Sequence, residues 1–272
     1  MDKTVSRPAV LSEGRTKEGP GHYERKQLLC RDRLIAWSHR GRFETGLRLA
    51  RLYGAGARVL DYGCGDGTFL SMLTDDPARQ AMPREAVGAE ITGALVEDCR
   101  RRHGARESLR FVVADELGEK EHEGGFDLVV CMEVLEHVVG PEALVENLAR
   151  LVAPGGRLIV SVPVETGLPL VAKQAWRRVA GWRGIGDYPG TDPYTPGEML
   201  RSVFAGRRQH VARTVHRTGE GAEFHDHKGF NWMRLREILS ARLNVERTLG
   251  SPVAWLPPHL SSQAWFVARK RG

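Results

Sequence analysis

The stretch "MEVLEHV", residues 132–138, carries two carboxylates and an imidazole at a spacing that suits proton transfer. If it opens a helix, Glu133, Glu136 and His137 fall at i, i+3 and i+4 and share one face. A second group lies in "EFHDHKGFNW", where His225 and His227 alternate across Asp226. In an extended segment both imidazoles would point the same way. His137, or one of these later histidines, has the chemistry of a general base, because imidazole changes charge near neutral pH.

A binding element precedes them. In "VLDYGCGDGTFL", residues 59–70, Gly63, Gly65 and Gly67 run G-x-G-x-G. A dinucleotide site uses G-x-G-x-x-G, so the third glycine falls one place early. A P-loop is excluded, because no Gly-Lys-Ser/Thr follows. Asp61 and Asp66 would repel a pyrophosphate at the start of the following helix. The loop therefore predicts a nucleoside without phosphates, carrying positive charge.

Alternating elements must position these groups. "RVLDYG", "AVGAEI", "LRFVVADE", "FDLVVCME" and "RLIVSVP" read as strands. "TFLSMLTDD", "TGALVEDCRRRHG", "VLEHVVG" and "PEALVENLARLVA" read as helices between them, and "PGG" as a turn before the fifth strand. Short apolar strands alternating with helices predict an α/β, doubly wound, mostly parallel sheet covered on both faces. Residues 163–230, rich in Gly, Pro and aromatics, interrupt the rhythm and predict a lid or substrate insertion after strand 5. The helix "WMRLREILSARL" and the strands "NVERTLGS" and "SQAWFVARK" complete the domain, residues 25–272. Residues 25–53 predict two helices broken near 38–41, and residues 1–24 a mobile polar tail.

The bulk composition narrows the class. The chain has 272 residues, 41% of them hydrophobic, enough for a core without a disulfide or metal staple. Lys and Arg number 40 against 34 Asp and Glu, a net charge of +6 that permits a nucleic-acid or anionic-membrane partner without requiring one. Cys30, Cys64, Cys99 and Cys131 are scattered and form no CxxC pair, which fits a reducing, cytoplasmic setting. No secretory h-region and no run of about 18 apolar residues is present.

Taken together, "LDYGCGDGTFL" and the strand ends over residues 58–162 resemble the class I S-adenosylmethionine-dependent methyltransferases. The resemblance implies a seven-stranded Rossmann-like fold. Its glycine loop (Asp61, Gly63, Cys64, Gly65, Asp66, Gly67) would wrap the methionine part of S-adenosyl-L-methionine, with Asp61 near the amino group. Glu90, followed by Ile91, ends the second strand, where a carboxylate can accept from both ribose hydroxyls. Asp115 and Glu116 end the third, where the family reads the adenine amino group, and Met132–Glu133 forms the shoulder of the fourth.

The fourth-strand region resembles two groups. "CMEVLEHV" followed by "PGG" looks like the ubiquinone-biosynthesis O-methyltransferases, which implies O-methylation of a small or lipid-linked metabolite. The E-x-x-E-H with a later "HDHKGFNW" is similar to the small-RNA 3′-terminal 2′-O-methyltransferases. That second resemblance implies Mg2+ held by Glu133, Glu136, His137 and His227, with His225 as a substitute. "SVPVE" and the long lid depart from the RNA group. A relative that holds the nucleoside without catalysis is a further alternative. In the lid, Trp176, Val179 and Trp182 lie among Lys173, Arg177, Arg178 and Arg183, which suits core packing, a weak membrane-surface contact or RNA stacking. Tyr188, Tyr194 and Trp255 are candidates to border the acceptor pocket, and Trp37, His39 and Arg42 to cover the cofactor.

Overall fold

This computed structural model of the protein describes residues 21, 24–29, 32–75, 82–104, 106–183, 192–218 and 221–271. The strands are β1 (Arg58–Tyr62), β2 (Glu85–Glu90), β3 (Leu109–Val113), β4 (Phe126–Met132), β5 (Val152–Pro163), β6 (Val215–Arg217), β7 (Glu223–His225), β8 (Asn244–Ser251) and β9 (Gln263–Arg269). The helices are α1 (Arg33–Gly54), α2 (Thr68–Thr74), α3 (Gly93–His103), α4 (Pro141–Leu151), α5 (Gly167–Trp182), α6 (Pro196–Val203) and α7 (Trp232–Arg242).

Seven strands form one sheet in the order β3-β2-β1-β4-β5-β9-β8. Strands β1 to β5 pair in parallel, and β9 runs antiparallel to β5 and to β8. Both faces are covered, so the central strands are apolar without alternation. Val59 and Val130 face a core shared with α1, α2 and α3, while Leu60 and Val129 face one shared with α4 and α7. This is the doubly wound sheet that the strand pattern predicts.

Three local expectations are corrected. The break near 38–41 does not occur, and α1 is continuous. Its residues there serve close packing: Ser38 Oγ meets Ser262 Oγ at 3.0 Å, and a Cβ on Gly41 would lie 2.3 Å from Pro252 Cβ. "VLEHVVG" is not a helix but a run of turns ending at Gly140, with Pro141 opening α4. The "PGG" turn lies inside β5, whose partners in β4 jump from Phe126↔Val152 to Leu128↔Arg157, so Pro154–Gly156 bulges out.

The predicted insertion, residues 163–230, holds α5, α6 and the antiparallel ribbon β6–β7. Trp176 Nε1 on α5 donates to Asp32 Oδ2 at 2.8 Å, and Asp32 Oδ1 caps the start of α1. Of the predicted tail, Gly21 and Glu24 are described and lie against the glycine loop, while residues 1–20, 22 and 23 fall outside the described residues.

Gly46 on α1 sets how closely that helix approaches the sheet. A Cβ there would stand 3.1 Å from each of Met132 Sδ, Phe69 and the buried Trp265. Gly46→Val is expected to destabilise the fold by about 1–3 kcal/mol through overpacking. Urea unfolding of the variant checks this, and an unchanged midpoint would show that α1 has slack.

Candidate active site

The glycine loop follows β1 because a tight left-handed path is needed there. Gly63, Gly65 and Gly67 have φ of 77°, 61° and 74°. A Cβ on Gly63 would lie 2.4 Å from Val134, and one on Gly67 2.8 Å from His103. The loop is tied from behind. Cys99 Sγ donates to the Gly65 carbonyl at 3.1 Å, and His103 Nε2 lies 2.9 Å from the Asp66 carbonyl. Asp66 accepts from Thr68 N and Oγ1 on one oxygen and from Glu24 N on the other. Cys64, within the loop, is buried.

Asp61 is 1% exposed, and its Oδ1 has no partner. Burial, then the Glu90 carboxylate, pushes its pKa up to about 8. Glu90 ends β2 and points back at the loop, accepting from Gly65 N at 2.7 Å and Ile91 N at 3.0 Å. Burial raises the Glu90 pKa although these two amides oppose it. Each Glu90 oxygen keeps a second lone pair for a ligand hydroxyl. Ile91 is exposed at the cleft edge. Asp115 and Glu116 sit exposed on the single turn Ala114–Gly118 after β3, and Glu116 Oε1 accepts from Val113 N.

Past β4 the chain leaves the sheet through Met132 and Glu133. Glu133 has φ 55°, a strained value for a residue with a Cβ. Its N–H still bonds the Ser161 carbonyl, so the turn begins while the ladder is intact. The consequence corrects the shared-face expectation. Glu133 turns onto Ser161 Oγ at 3.0 Å and Arg42 Nη1 at 3.3 Å and does not join the cluster of ligand atoms formed by Glu136, His137 and His227.

Glu136, His137 and His227 do converge, each offering a ligand atom within 4.8 Å of the others. Glu136 is fully buried, and neither carboxylate oxygen has a partner. Burial first, then the Glu133 charge, raises its pKa well above the usual carboxylate range, while Arg42 and Arg213 pull the other way. His137 Nδ1 donates to the His225 carbonyl at 2.8 Å, which leaves an Nε2 lone pair. That Nε2 lies 3.8 Å from Glu136 Oε1 and 3.3 Å from His227 Nε2. Burial lowers the His227 pKa to about 4 against the pull of Glu165. His225 does not substitute for His227. Its Nδ1 faces the Thr214 carbonyl, because the strand ends at His225 and the chain turns.

Other candidates fare differently. His39 is held near a pKa of about 3 by burial, Arg42 and Lys173, and Trp37 is exposed. Tyr194 braces the loop by accepting from Gly229 N at 3.0 Å. Trp255 stands in solvent, and Tyr188 lies outside the described residues. Two charged residues at the site carry no sequence signal. Arg213 Nη2 donates to the Glu136 and Asp226 carbonyls, binding the turn to the lid. Glu165, buried past β5, accepts from Lys173 Nζ at 2.9 Å. Lys173 and Glu165 stand eight apart with a glycine and a proline between them, and Arg213 lies in an aperiodic stretch.

The sheet order, the glycine loop after β1 and the acids after β2 and β3 define a nucleoside-binding protein of the methyltransferase class. A family model described as a methyltransferase domain matches residues 36–241, and the chain belongs to that family. It is a class I S-adenosylmethionine-dependent methyltransferase. Over 115 residues it is 41% identical to the ubiquinone biosynthesis O-methyltransferase of Xanthomonas oryzae pv. oryzae, covering 41% of this chain and 45% of that one. The enzyme of the same name from Xylella fastidiosa is 38% identical over 112 residues, 39% of this chain and 42% of that one. The chain thus matches less than half the length of these curated relatives. Among solved structures, the PH0226 protein of Pyrococcus horikoshii superposes with a TM-score of 0.56 at 17% identity, covering 93% of this chain and all of that one. A putative S-adenosylmethionine dependent methyltransferase from Listeria monocytogenes gives 0.53 at 14%, covering 86% and 99%. Both show the fold.

The residues fit that cofactor. The bare loop admits its backbone closely, and the orphaned Asp61 Oδ1 matches an ammonium. A cation there requires the Asp61 carboxylate, so the bound form favours proton loss. S-adenosylmethionine affinity is expected to rise as pH rises toward about 8, by up to about tenfold per unit, and then level off. Calorimetry from pH 6 to 9 checks this, and Asp61→Asn should flatten the profile while weakening binding. A flat wild-type profile would place the ammonium elsewhere.

Proposed function

We propose that this chain transfers the methyl group of S-adenosylmethionine to a hydroxyl oxygen of a small or lipid-linked acceptor. The observation that carries the reading is the convergence of Glu136, His137 and His227 beside the end of β4, with both Glu136 oxygens unpartnered. An acceptor hydroxyl entering between the two imidazoles can donate to one ring and accept from the other. That contact orients the oxygen and removes its proton as it attacks the methyl carbon in line with the sulfur. The His225 carbonyl holds the His137 proton on Nδ1, keeping Nε2 free to act. Glu136, whose pKa burial raises, stands with Oε1 3.8 Å from that nitrogen and in its protonated form is a donor beside it. When bound, the cofactor supplies an activated methyl with its leaving group attached. The curated relatives' names, which specify O-methylation, support the oxygen acceptor.

The lid supports the lipid-linked arm of this reading. Trp182 is 85% exposed and Phe204 79%, with Leu168 and Leu200 also in solvent. Arg178, Arg183, Arg201, Arg207 and Arg208 are exposed among them. Leu200, Phe204, Arg207 and His210 line an open groove of about 800 Å³. Apolar anchors ringed by cations suit weak contact with an anionic lipid surface. No described helix is long and apolar enough to cross a membrane. Cys64, Cys99 and Cys131 are unpaired thiols, which supports action in a reducing cytoplasm.

A second reading is ribose 2′-O-methylation of RNA with a divalent ion, favoured by the two Glu136 oxygens that lack partners. The donors do not fit Mg2+. Glu133 is turned away, and two of the three converging groups are imidazoles, whereas Mg2+ prefers an oxygen octahedron. Chelator-sensitive turnover with steeply salt-dependent RNA binding would favour this reading.

His137→Ala is expected to cut turnover by at least about 100-fold while S-adenosylmethionine affinity stays within about threefold. Glu136→Gln, which keeps a neutral donor, should be milder than Glu136→Ala. Methyl transfer from labelled cofactor to phenolic acceptors, with and without a prenyl tail, provides the assay. Normal turnover in both His137→Ala and Glu136→Ala would remove these residues from the chemistry. The full chain should also co-sediment with anionic vesicles and be released by salt. Indifference to vesicles would leave only a soluble acceptor.

A further inference from the structure

We propose that the lid holds a structural cation site, formed by Asp192, His216 and Asp226 and suited to a divalent transition ion such as Zn2+. The three residues come from separate segments: ahead of α6, within β6, and just past β7. One ligand atom from each lies within 4.8 Å of the others. Zn2+ bonds of about 2.0–2.2 Å put tetrahedral ligands roughly 3.3–3.6 Å apart, so the three atoms must draw together by at most about 1.5 Å, within the reach of side-chain rotation.

Two features distinguish this cluster from a simple ion pair. The His216 Nε2 atom is buried and has no hydrogen-bond partner, since Asp192 Oδ2, at 3.8 Å, lies too far to accept. Asp226 is oriented from outside, its Oδ2 accepting from Asp192 N at 2.7 Å and its Oδ1 from Lys228 N at 2.9 Å. Such outer hydrogen bonds aim ligating carboxylates, and each oxygen keeps a lone pair for a metal. One imidazole with two carboxylates matches the charge of a dication and suits Zn2+ or Mn2+ better than Mg2+. The ring of His216 is further held against Phe224, with centroids 5.5 Å apart.

The site lies immediately behind the reacting groups in the chain. Asp226 sits between His225, whose carbonyl holds the His137 proton, and His227. An ion on Asp226 fastens the β6–β7 ribbon to the lid segment at Asp192, and so fixes where His227 stands.

Zn2+ titration into the full chain by calorimetry, alongside thermal unfolding, tests this in the wild type, His216→Ala, Asp192→Asn and His137→Ala. We expect the wild type to bind at least one equivalent that raises the unfolding midpoint. That equivalent should survive in His137→Ala and weaken at least about tenfold in His216→Ala and Asp192→Asn. Unchanged S-adenosylmethionine affinity in His216→Ala would show that the variant is folded; Asp192→Asn, nearly the same size, stands in if it is not. Zn2+ binding unaltered in both lid variants, or lost in His137→Ala and kept in His216→Ala, overturns the proposal. None of these outcomes depends on which acceptor is methylated.

Discussion

A buried carboxylate with an oxygen that no hydrogen bond satisfies is the constraint on which this cleft turns. Asp61 and Glu136 both sit at the carboxyl edge of the sheet and are sequestered from water, and Asp61 Oδ1 and both Glu136 oxygens lack a hydrogen-bond partner among the described residues. Removing such groups from water costs several kcal/mol unless they are neutralised or paired. Burial accordingly raises the pKa of both, that of Asp61 to about 8. They stand on neighbouring strand ends, β1 and β4, where the sheet's connections diverge and open α/β proteins bind their ligands. The order of the strands thereby brings the two buried acids to one edge of the sheet.

The surroundings hold that edge rigid. Glu133 takes a strained backbone conformation so that the chain can leave β4 abruptly, and Arg42 and Ser161 secure the turned side chain. Arg213 grips the next part of the same turn from the lid side, through two backbone carbonyls. Behind the glycine loop, Cys99 and His103 on α3 hold the carbonyls of Gly65 and Asp66. Catalysis by positioning needs such outer supports, since a displacement of an ångström at the reacting atoms is costly.

The sheet was legible because its strands are short apolar runs between glycines and helical repeats, a pattern that periodicity alone reveals. The cofactor loop was legible from glycine spacing together with Asp61 and Asp66. The turn after β4, to which we assign the chemistry, was only half legible. "EVLEH" has helical spacing, yet Glu133 bonds to Ser161 of the adjacent strand and enters positive φ, a tertiary contact that spacing cannot report. Three of the four residues expected to gather do so, and Glu133 is the exception for that reason. Ser38 and Gly41 looked like a helix break, but here they admit Ser262 and Pro252 from distant segments. Arg213 lies in an aperiodic stretch, and Glu165, although it ends "SVPVE", is marked out only by its burial and its pairing with Lys173, which spacing does not report.

Asp32 is shared between two coverings of the cleft. One of its oxygens starts α1, which runs beneath Glu133, and the other holds Trp176 of the lid helix. Withdrawing α5 to admit an acceptor therefore loosens the first turn of the helix that carries Arg42. Through Asp32 the two walls are tied together, so a displacement of either would strain the other.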